Sequence, residues 1–443
     1  MKKLYSFLFL SVVCGTVFSQ TNTNTAIIPK EKCGTMANLK ANSENIPGYA
    51  EKINAAEFKA RQNVNAANAK TAQTTVVIPV VFHVLYPNAS SPANLHDSVL
   101  VRQLAIMNET YSLSNPNFAN TRAIFDTLGA NTDVQFCFAG VDPLGNACTG
   151  IDRFQTATSF SLTALNNGVK IPSMGGRAAG DAQRYLNIWC CDMSFFGTAF
   201  VLGFATFPGG PDSLDGVVLQ YEYVGMQNNG TVNNLGRTAV HEVGHWLGMR
   251  HIWGDGQQST VPCDSTDYVE DTPHANNASA TDCDTTKNTC STEDPYWTSL
   301  AIDPPDMVEN YMDYSNDGCM TMFTKGQKAR MWSFINTLRS NLLTNNVTCA
   351  TVGIDEYNPV FGDFIHVYPN PVNGLLNINF STNSIEQAKV EFYNAAGQLV
   401  KVFVPSDFQN VVEVKGLASG IYFLKISNPS NCAVKKIVIQ DWD

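Results

Sequence analysis

From Val76 to Leu85 the chain is almost continuously apolar and rich in β-branched residues, the pattern of a buried strand. Leu95 to Tyr111 changes to helical spacing, with Leu100, Leu104 and Met107 on one face. Val134–Ala139, Leu186–Trp189 and Gly216–Tyr223 read as further strands. Leu202–Phe207 reads as an edge strand above a cleft, where an extended peptide can add itself by main-chain hydrogen bonds. Asn234–Gly248 predicts a helix. Thr324–Leu343 predicts a second long one, carrying Met331, Phe334, Ile335, Leu338 and Leu342 on its face. Strands interleaved with helices indicate an α/β unit over residues 76–350.

The flanks follow other patterns. Residues 20–75 are rich in Asn, Ala, Thr and Lys with little apolar periodicity, the composition of a disordered linker or a pro-segment. From about Gly353 short alternating segments recur: LNINF, AKVEFYN, GQLVKVF, NVVEVKG, GIYFLKIS and KKIVIQ. Turn signals such as NAAGQ and LASG separate them. This spacing predicts a small all-β sandwich over 355–443. At the N-terminus, Lys2 and Lys3 precede an apolar stretch from Leu4 to Val13. Val17 and Ser19 then suit cleavage after Ser19, so residues 1–19 read as a signal peptide.

The chemistry concentrates in His241-Glu242-Val243-Gly244-His245, followed by Gly248 and His251. On a helix, His241 and His245 share one face and can bind one Zn²⁺. Gly248 can turn the chain at positive φ and bring His251 round as third ligand. Three protein ligands leave a fourth position for water, as a catalytic site requires. Glu242 is placed to reach that water as general base without being a ligand. A buried amphipathic helix with polar histidines is the bland alternative, and three histidines, a Glu and a Gly in register make it a poor one. Downstream, Asn310-Tyr311-Met312-Asp313-Tyr314 holds a methionine that on its own reads as a core residue.

The motif with its glycine and third histidine is the metzincin pattern. HEVGHWLGMRHIWGD, a Cys-rich insert with DYVEDTP, and NYMDYSNDGCMTMFTKGQKARM together resemble the bacterial branch of the pappalysin family. IPVVFHVLYP, YLNIWCCDMS, LGFATFPGG and DGVVLQYEYVG extend the likeness over about residues 76–345. The resemblance implies a metzincin catalytic domain, with a mixed twisted sheet and an active-site helix. It also implies a zinc metalloendopeptidase acting on protein or peptide substrates, with Glu242 and Tyr314 catalytic and Met312 structural. Pairing of Cys263 with Cys290 and of Cys283 with Cys319 is implied as well. So is Ca²⁺ in the loop that holds Asp267 and Thr272, where a solvated acidic loop reads equally well from the residues alone. Cys33-Gly34 resembles the pro-segment motif whose thiolate fills the open zinc position and keeps the enzyme latent, although Cys33 can also pair with another cysteine. YPNPVNG, FYNAAGQLVK and GLASGIYFLKI resemble the sorting domain of the type IX secretion system. Its machinery is then a partner, and the destination is secretion or the cell surface by way of the periplasm.

Charge and cysteines narrow the classes. A net charge of −11 without a dense basic run argues against nucleic acid as a partner. Outside the N-terminus no apolar run is long enough for a spanning helix. The 12 cysteines suit an oxidising compartment. Cys137 and Cys148 bracket a DPLGN turn and are candidates to pair, and at least one of Cys190 and Cys191 is expected as a buried thiol. Met320 follows Cys319, and no acid stands there to receive a basic side chain in the S1′ pocket. Two rival classes are an ester or amidated-sugar hydrolase and a non-catalytic adhesin. The complete motif counts against the first, and the intact Glu242 against the second.

Overall fold

The computed structural model describes residues 32–68, 75–160, 164–195, 198–199, 201–226, 234–254, 261–279, 283–291, 295–345, 347–350, 364–380, 388–394, 398–428 and 431–440. The expected signal peptide, with Cys14, lies outside the described residues.

In the central unit the strands are β1 (Val76–Tyr86), β2 (Val134–Phe138), β3 (Ile151–Gln155), β4 (Leu186–Cys191), β5 (Ser194–Phe195), β6 (Thr198–Ala199), β7 (Gly203–Ala205) and β8 (Val217–Gln220). The main sheet runs β2-β1-β4-β8-β7, with β3 on the second half of β1. Its pairs are parallel except β7 against β8. Every residue of β4 is buried, as expected for a parallel strand covered on both faces. β7 ends the sheet, so the edge strand expected at Leu202–Phe207 is present. β5 and β6 form a separate two-stranded pair.

The helices are α1 (Thr35–Asn45), α2 (Tyr49–Asn68), α3 (Asp97–Tyr111), α4 (Arg237–Trp246), α5 (Pro295–Leu300) and α6 (Lys325–Leu338). α3 buries Leu100, Leu104 and Met107, the face read from the sequence. Thr324 and Gln327 close a reciprocal capping box at the start of α6, a device worth about 1 kcal/mol. α4 is buried along its whole length. One core joins the sheet to α3, α4 and α6 through residues such as Phe82, Met107, Val240 and Met331.

Two expectations need correction. Residues 35–68 are helical rather than a linker. The buried positions of α1 are Thr35, Asn38 and Asn42, and those of α2 include Ala56 and Ala60. Asn38 and Asn42 are each bonded to Asn167, and α2 turns Tyr49, Ile53, Ala56 and Ala60 inward at helical spacing, a stripe in which only two side chains are bulky. Cys137 pairs with Cys349, not with Cys148. The segment around Cys349 lies against the end of β2, where Ala350 N donates to Phe138 O at 2.8 Å and Ala139 bridges Cys349. Cys148 stays reduced, its thiol directed at Ala139 O. Cys263–Cys290 and Cys283–Cys319 form as the resemblance implied. Cys190 and Cys191 are both buried thiols.

The C-terminal unit contains β9 (Ile365–Tyr368), β10 (Leu375–Phe380), β11 (Lys389–Asn394), β12 (Leu399–Phe403), β13 (Gln409–Glu413), β14 (Gly420–Asn428) and β15 (Asn431–Ile439). The antiparallel sheets β13-β10-β9 and β12-β11-β14-β15 share one core. Leu376 and Ile378 of one sheet join Phe392, Leu424 and Ile437 of the other in it, so the expected sandwich is found. No helix among the described residues is long and apolar enough to cross a membrane.

Candidate metallopeptidase site

α4 starts late, at Arg237 rather than Asn234, because Gly236 at its N-cap has φ +74°. The Asp317 carboxylate accepts from Leu235 N at 2.9 Å and Arg237 N at 3.2 Å, satisfying donors at the positive end of the helix. Gly248 has φ +90° and breaks the helix where the motif required. The reversal brings His251 back, and His245 Nε2 lies 3.1 Å from His241 Nε2 and 3.2 Å from His251 Nε2.

Proton positions follow from the other ring nitrogens. His241 Nδ1 donates to Tyr311 O at 2.7 Å, and His245 Nδ1 to Met249 O at 2.8 Å. Those rings therefore carry their proton on Nδ1 and turn bare Nε2 lone pairs toward each other. Burial lowers the His241 pKa to about 4 and pushes His245 and His251 well below the usual imidazole range, which favours neutral rings. Lone pairs facing one another repel unless a cation lies between them. Tetrahedral zinc with bonds of about 2.0–2.1 Å separates its nitrogens by about 3.3 Å. The observed spacing fits a metal of that size.

Met312 packs under α4, where a Cβ on Gly244 would come within 2.6 Å of Met312 Sδ. The turn that carries it also supplies the Tyr311 carbonyl to His241. The Tyr314 ring lies 5.7 Å from His241 and 5.1 Å from His251, and its hydroxyl donates to Cys33 O at 3.3 Å. Glu242 is fully buried. Its Oε2 accepts from Thr35 Oγ1 at 2.9 Å and from the Cys33 thiol at 3.4 Å, while Oε1 has no partner. Burial pushes the Glu242 carboxyl up to about 8.

Cys33 joins the three histidines in the one group of metal-ligating side chains found among the described residues, all ligand atoms lying within 4.8 Å. It is a free thiol and pairs with no other cysteine. Its segment adds to the edge of the sheet. Gly34 N donates to Gly203 O at 2.8 Å, Leu202 N donates to Lys32 O at 3.1 Å, and Cys33 bridges Gly203 in parallel.

The sequence reading missed an acid. Lys32 shares a cavity with Thr238, His241, Asp313, Asp317 and Met320, and its ammonium donates to Ser315 O at 2.6 Å. Burial lowers the Lys32 pKa, and Asp317 and Asp313 oppose the shift. Asp317, two residues before Cys319, and Asp313 are the carboxylates that share this cavity with Lys32. A search for acids on both sides of Cys319 would have found Asp317.

The Asp267 loop is satisfied within itself. Val269 N donates to Asp267 Oδ1 at 3.0 Å, and Thr272 Oγ1, with one proton to give, lies 3.0 and 2.9 Å from the two Asp267 oxygens and 2.8 Å from Val269 O. Asp271 instead accepts from Thr324 Oγ1 and Gly326 N at the start of α6.

Residues 176–336 match the peptidase family described as pregnancy-associated plasma protein-A, and residues 366–440 match the secretion system C-terminal sorting domain. An extracellular metalloprotease of Colletotrichum graminicola is 32% identical and aligns over 71% of this chain and 93% of its own length. The chain belongs to the pappalysin family of metallopeptidases. A Pyricularia oryzae extracellular metalloprotease is 31% identical over 62% of this pappalysin and 81% of its own length. Mature mirolysin of Tannerella forsythia, solved with a cleaved peptide, is 37% identical with a TM-score of 0.53 and covers 61% of this chain and 96% of its own. A promirolysin variant is 34% identical with a TM-score of 0.57, covering 70% and 97%. The extra cover in the proform is about the length of residues 32–68. The sorting domain and the extracellular relatives make this pappalysin a secreted or cell-surface protein.

Proposed function

We propose that this pappalysin is a zinc endopeptidase made as a latent proform, with His241, His245 and His251 as ligands and Glu242 as general base. The convergence of three imidazole Nε2 atoms beside a buried carboxylate carries the reading. When bound, zinc supplies Lewis-acid polarisation of the scissile carbonyl and acidifies the attacking water. Glu242 takes that water's proton and passes it to the leaving amine. The Tyr314 phenol donates to the developing oxyanion, as it now donates to a main-chain carbonyl of the pro-segment. Met312 holds the histidines from below. The substrate lies extended on β7, and a basic side chain takes the place of Lys32 near Asp317.

Latency has two parts in this reading. The Cys33 thiolate takes the open metal position, and Thr35 occupies the oxygen that Glu242 needs for water. Release of residues 20–75 frees both, leaving residues 76–350 as the catalytic domain. Residues 355–443 dock on the type IX secretion machinery.

Calcium at Asp267 and Thr272 is a separate proposal. Burial pushes Asp267 up to about 8, and a cation would supply the countercharge. A thermal-shift titration with Ca²⁺ and EGTA tests it, and a transition that ignores both removes calcium from the description.

Casein digestion by the activated protein tests the main reading. A zinc chelator should stop it and added Zn²⁺ restore it. Digestion indifferent to the chelator would sink the proposal.

A further inference from the structure

The pro-segment covers more than the metal. Phe207, four residues beyond Gly203 along the edge, stacks its ring edgewise on His245 at 5.4 Å. The small apolar cluster that buries it is otherwise built from Met36, Leu39, Ile46, Tyr49 and Ile53 of the pro-segment. Beside Phe207 stands Arg250, and Glu57 joins it to a second arginine. Arg250 lies over the Phe207 ring at 5.1 Å, and Arg330 is fixed by donating from Nε to Gly248 O at 3.0 Å. Glu57 of α2 reaches both. It accepts from Arg330 Nη1 and Nη2 at 2.8 Å each and from Arg250 Nη2 at 3.4 Å. Asp267 is near enough to feel the charge of Arg330, but its oxygens are held by Thr272.

A parallel, bidentate fork of this kind recognises carboxylates. It stands on enzyme elements, and the carboxylate that fills it belongs to a segment that leaves. We propose that, once the pro-segment is released, Phe207, Arg250 and Arg330 form a substrate subsite that takes an acidic side chain. It lies on the opposite side of the scissile bond from the residue that enters the Lys32 cavity. The sides follow from the edge strand, since Lys32 pairs at its Leu202 end and Glu57 bonds to Arg250, which lies over Phe207 beyond the other end. Two side-chain contacts separate Arg250 from His245, so the acid falls within about three residues of the cleaved bond at 3.3–3.4 Å per residue. The pro-segment then occupies three stations of the cleft at once: a lysine in the acidic cavity, a thiol at the metal and a glutamate on the arginines. This inference rests on the peptidase and latency reading above.

The test uses the full chain activated by limited proteolysis and quenched-fluorescent peptides capped at both termini. Each peptide has Lys at the position for the acidic cavity. Glu or Gln is scanned over the three positions across the scissile bond. Glu should raise kcat/KM about tenfold over Gln at one position, through KM. A companion peptide that ends there in a free carboxylate distinguishes a chain terminus from a side chain, and equal preference for the terminus would overturn the side-chain assignment. In R250Q the Glu-to-Gln ratio should fall to about one, a ratio internal to each enzyme preparation. If R250Q does not fold, the wild-type ratio decides alone, and no position above about twofold overturns the subsite. The same peptides bound to activated E242A, read by fluorescence anisotropy, separate the two readings. Glu discrimination in binding without hydrolysis by wild type would sink the peptidase and keep the subsite. Hydrolysis without discrimination in either assay would do the reverse.

Discussion

Glu57→Gln should loosen the pro-segment without touching the zinc ligands. Removing one partner of a buried, hydrogen-bonded ion pair costs about 3–5 kcal/mol. Glu57 is 12% exposed, and the amide oxygen of Gln can still accept from one guanidinium. The lower end, about 3 kcal/mol, is therefore the expectation. At 1.4 kcal/mol per tenfold, this is about a hundredfold in the equilibrium for opening α2. Native-state hydrogen exchange on the full chain reads that equilibrium directly. Protection of the α2 amides should fall about a hundredfold while that of β1 and β4 stays. The effect depends on pH with a definite sign. Burial alone would raise the Glu57 pKa, but hydrogen bonds and charge from Arg330, then Arg250, hold it below its ordinary value of 4.5. A depressed folded pKa gives stability that is present above the unfolded value and lost as pH falls through the folded one. The difference between wild type and variant should be full near pH 7 and shrink below about pH 4.5. Unchanged α2 protection at neutral pH would show that the ion triad does not hold the helix.

Glu242→Ala should lower peptide hydrolysis by at least the 10²–10⁴ of general-base catalysis, with metal content by atomic absorption unchanged. Near-normal turnover would discard the mechanism. Tyr314→Phe should reduce kcat more than it raises KM, since the phenol acts mainly in the transition state, and an unchanged kcat would assign it to packing. Cys33→Ala should give the uncut proform measurable activity, below that of the mature enzyme because Thr35 still holds Glu242. A silent C33A proform beside an active truncation before Thr75 would place the block elsewhere. Removal of residues from 355 onward should leave an active peptidase that accumulates in the periplasm of its host. Efficient export of the truncated chain on fractionation would refute the sorting role.

The central unit was legible because its elements obey simple periods. β1 is continuously apolar, α3 keeps one face, and the motif carries its own stop signal in Gly248. Even there, boundaries moved where chemistry overrode pattern. α4 loses its first residues to the left-handed Gly236, and the strand expected to reach Tyr223 ends at Gln220 in a short 3-10 turn. The candidate ligands could be named from spacing, but proton placement could not. The Nδ1 donors depend on the Tyr311 and Met249 carbonyls, one of them 70 residues away. The Cys137 error has the same root. A turn between Cys137 and Cys148 is a local cue, whereas the true partner arrives from 212 residues downstream.

The pro-segment failed to announce itself for a more instructive reason. An interface that must later open is not well served by a large apolar core, since stability scales with apolar area buried. α1 and α2 bury one small apolar cluster, Tyr49 and Ile53 against Phe207, beside Thr35, Asn38, Asn42, Ala56 and Ala60, and add hydrogen bonds and one ion triad. The polar contacts depend strongly on partners and pH, and the apolar stripe of α2 holds only two bulky side chains. What the sequence did carry was chemistry at single positions: a cysteine beside a glycine and, unnoticed, a lysine before it and a glutamate two turns into α2. Each is the side chain that suits the pocket it fills. Residues of a removable segment that complement enzyme pockets by charge therefore report on substrate preference, provided the pockets themselves stay with the enzyme. Asp317, Arg250 and Arg330 all do.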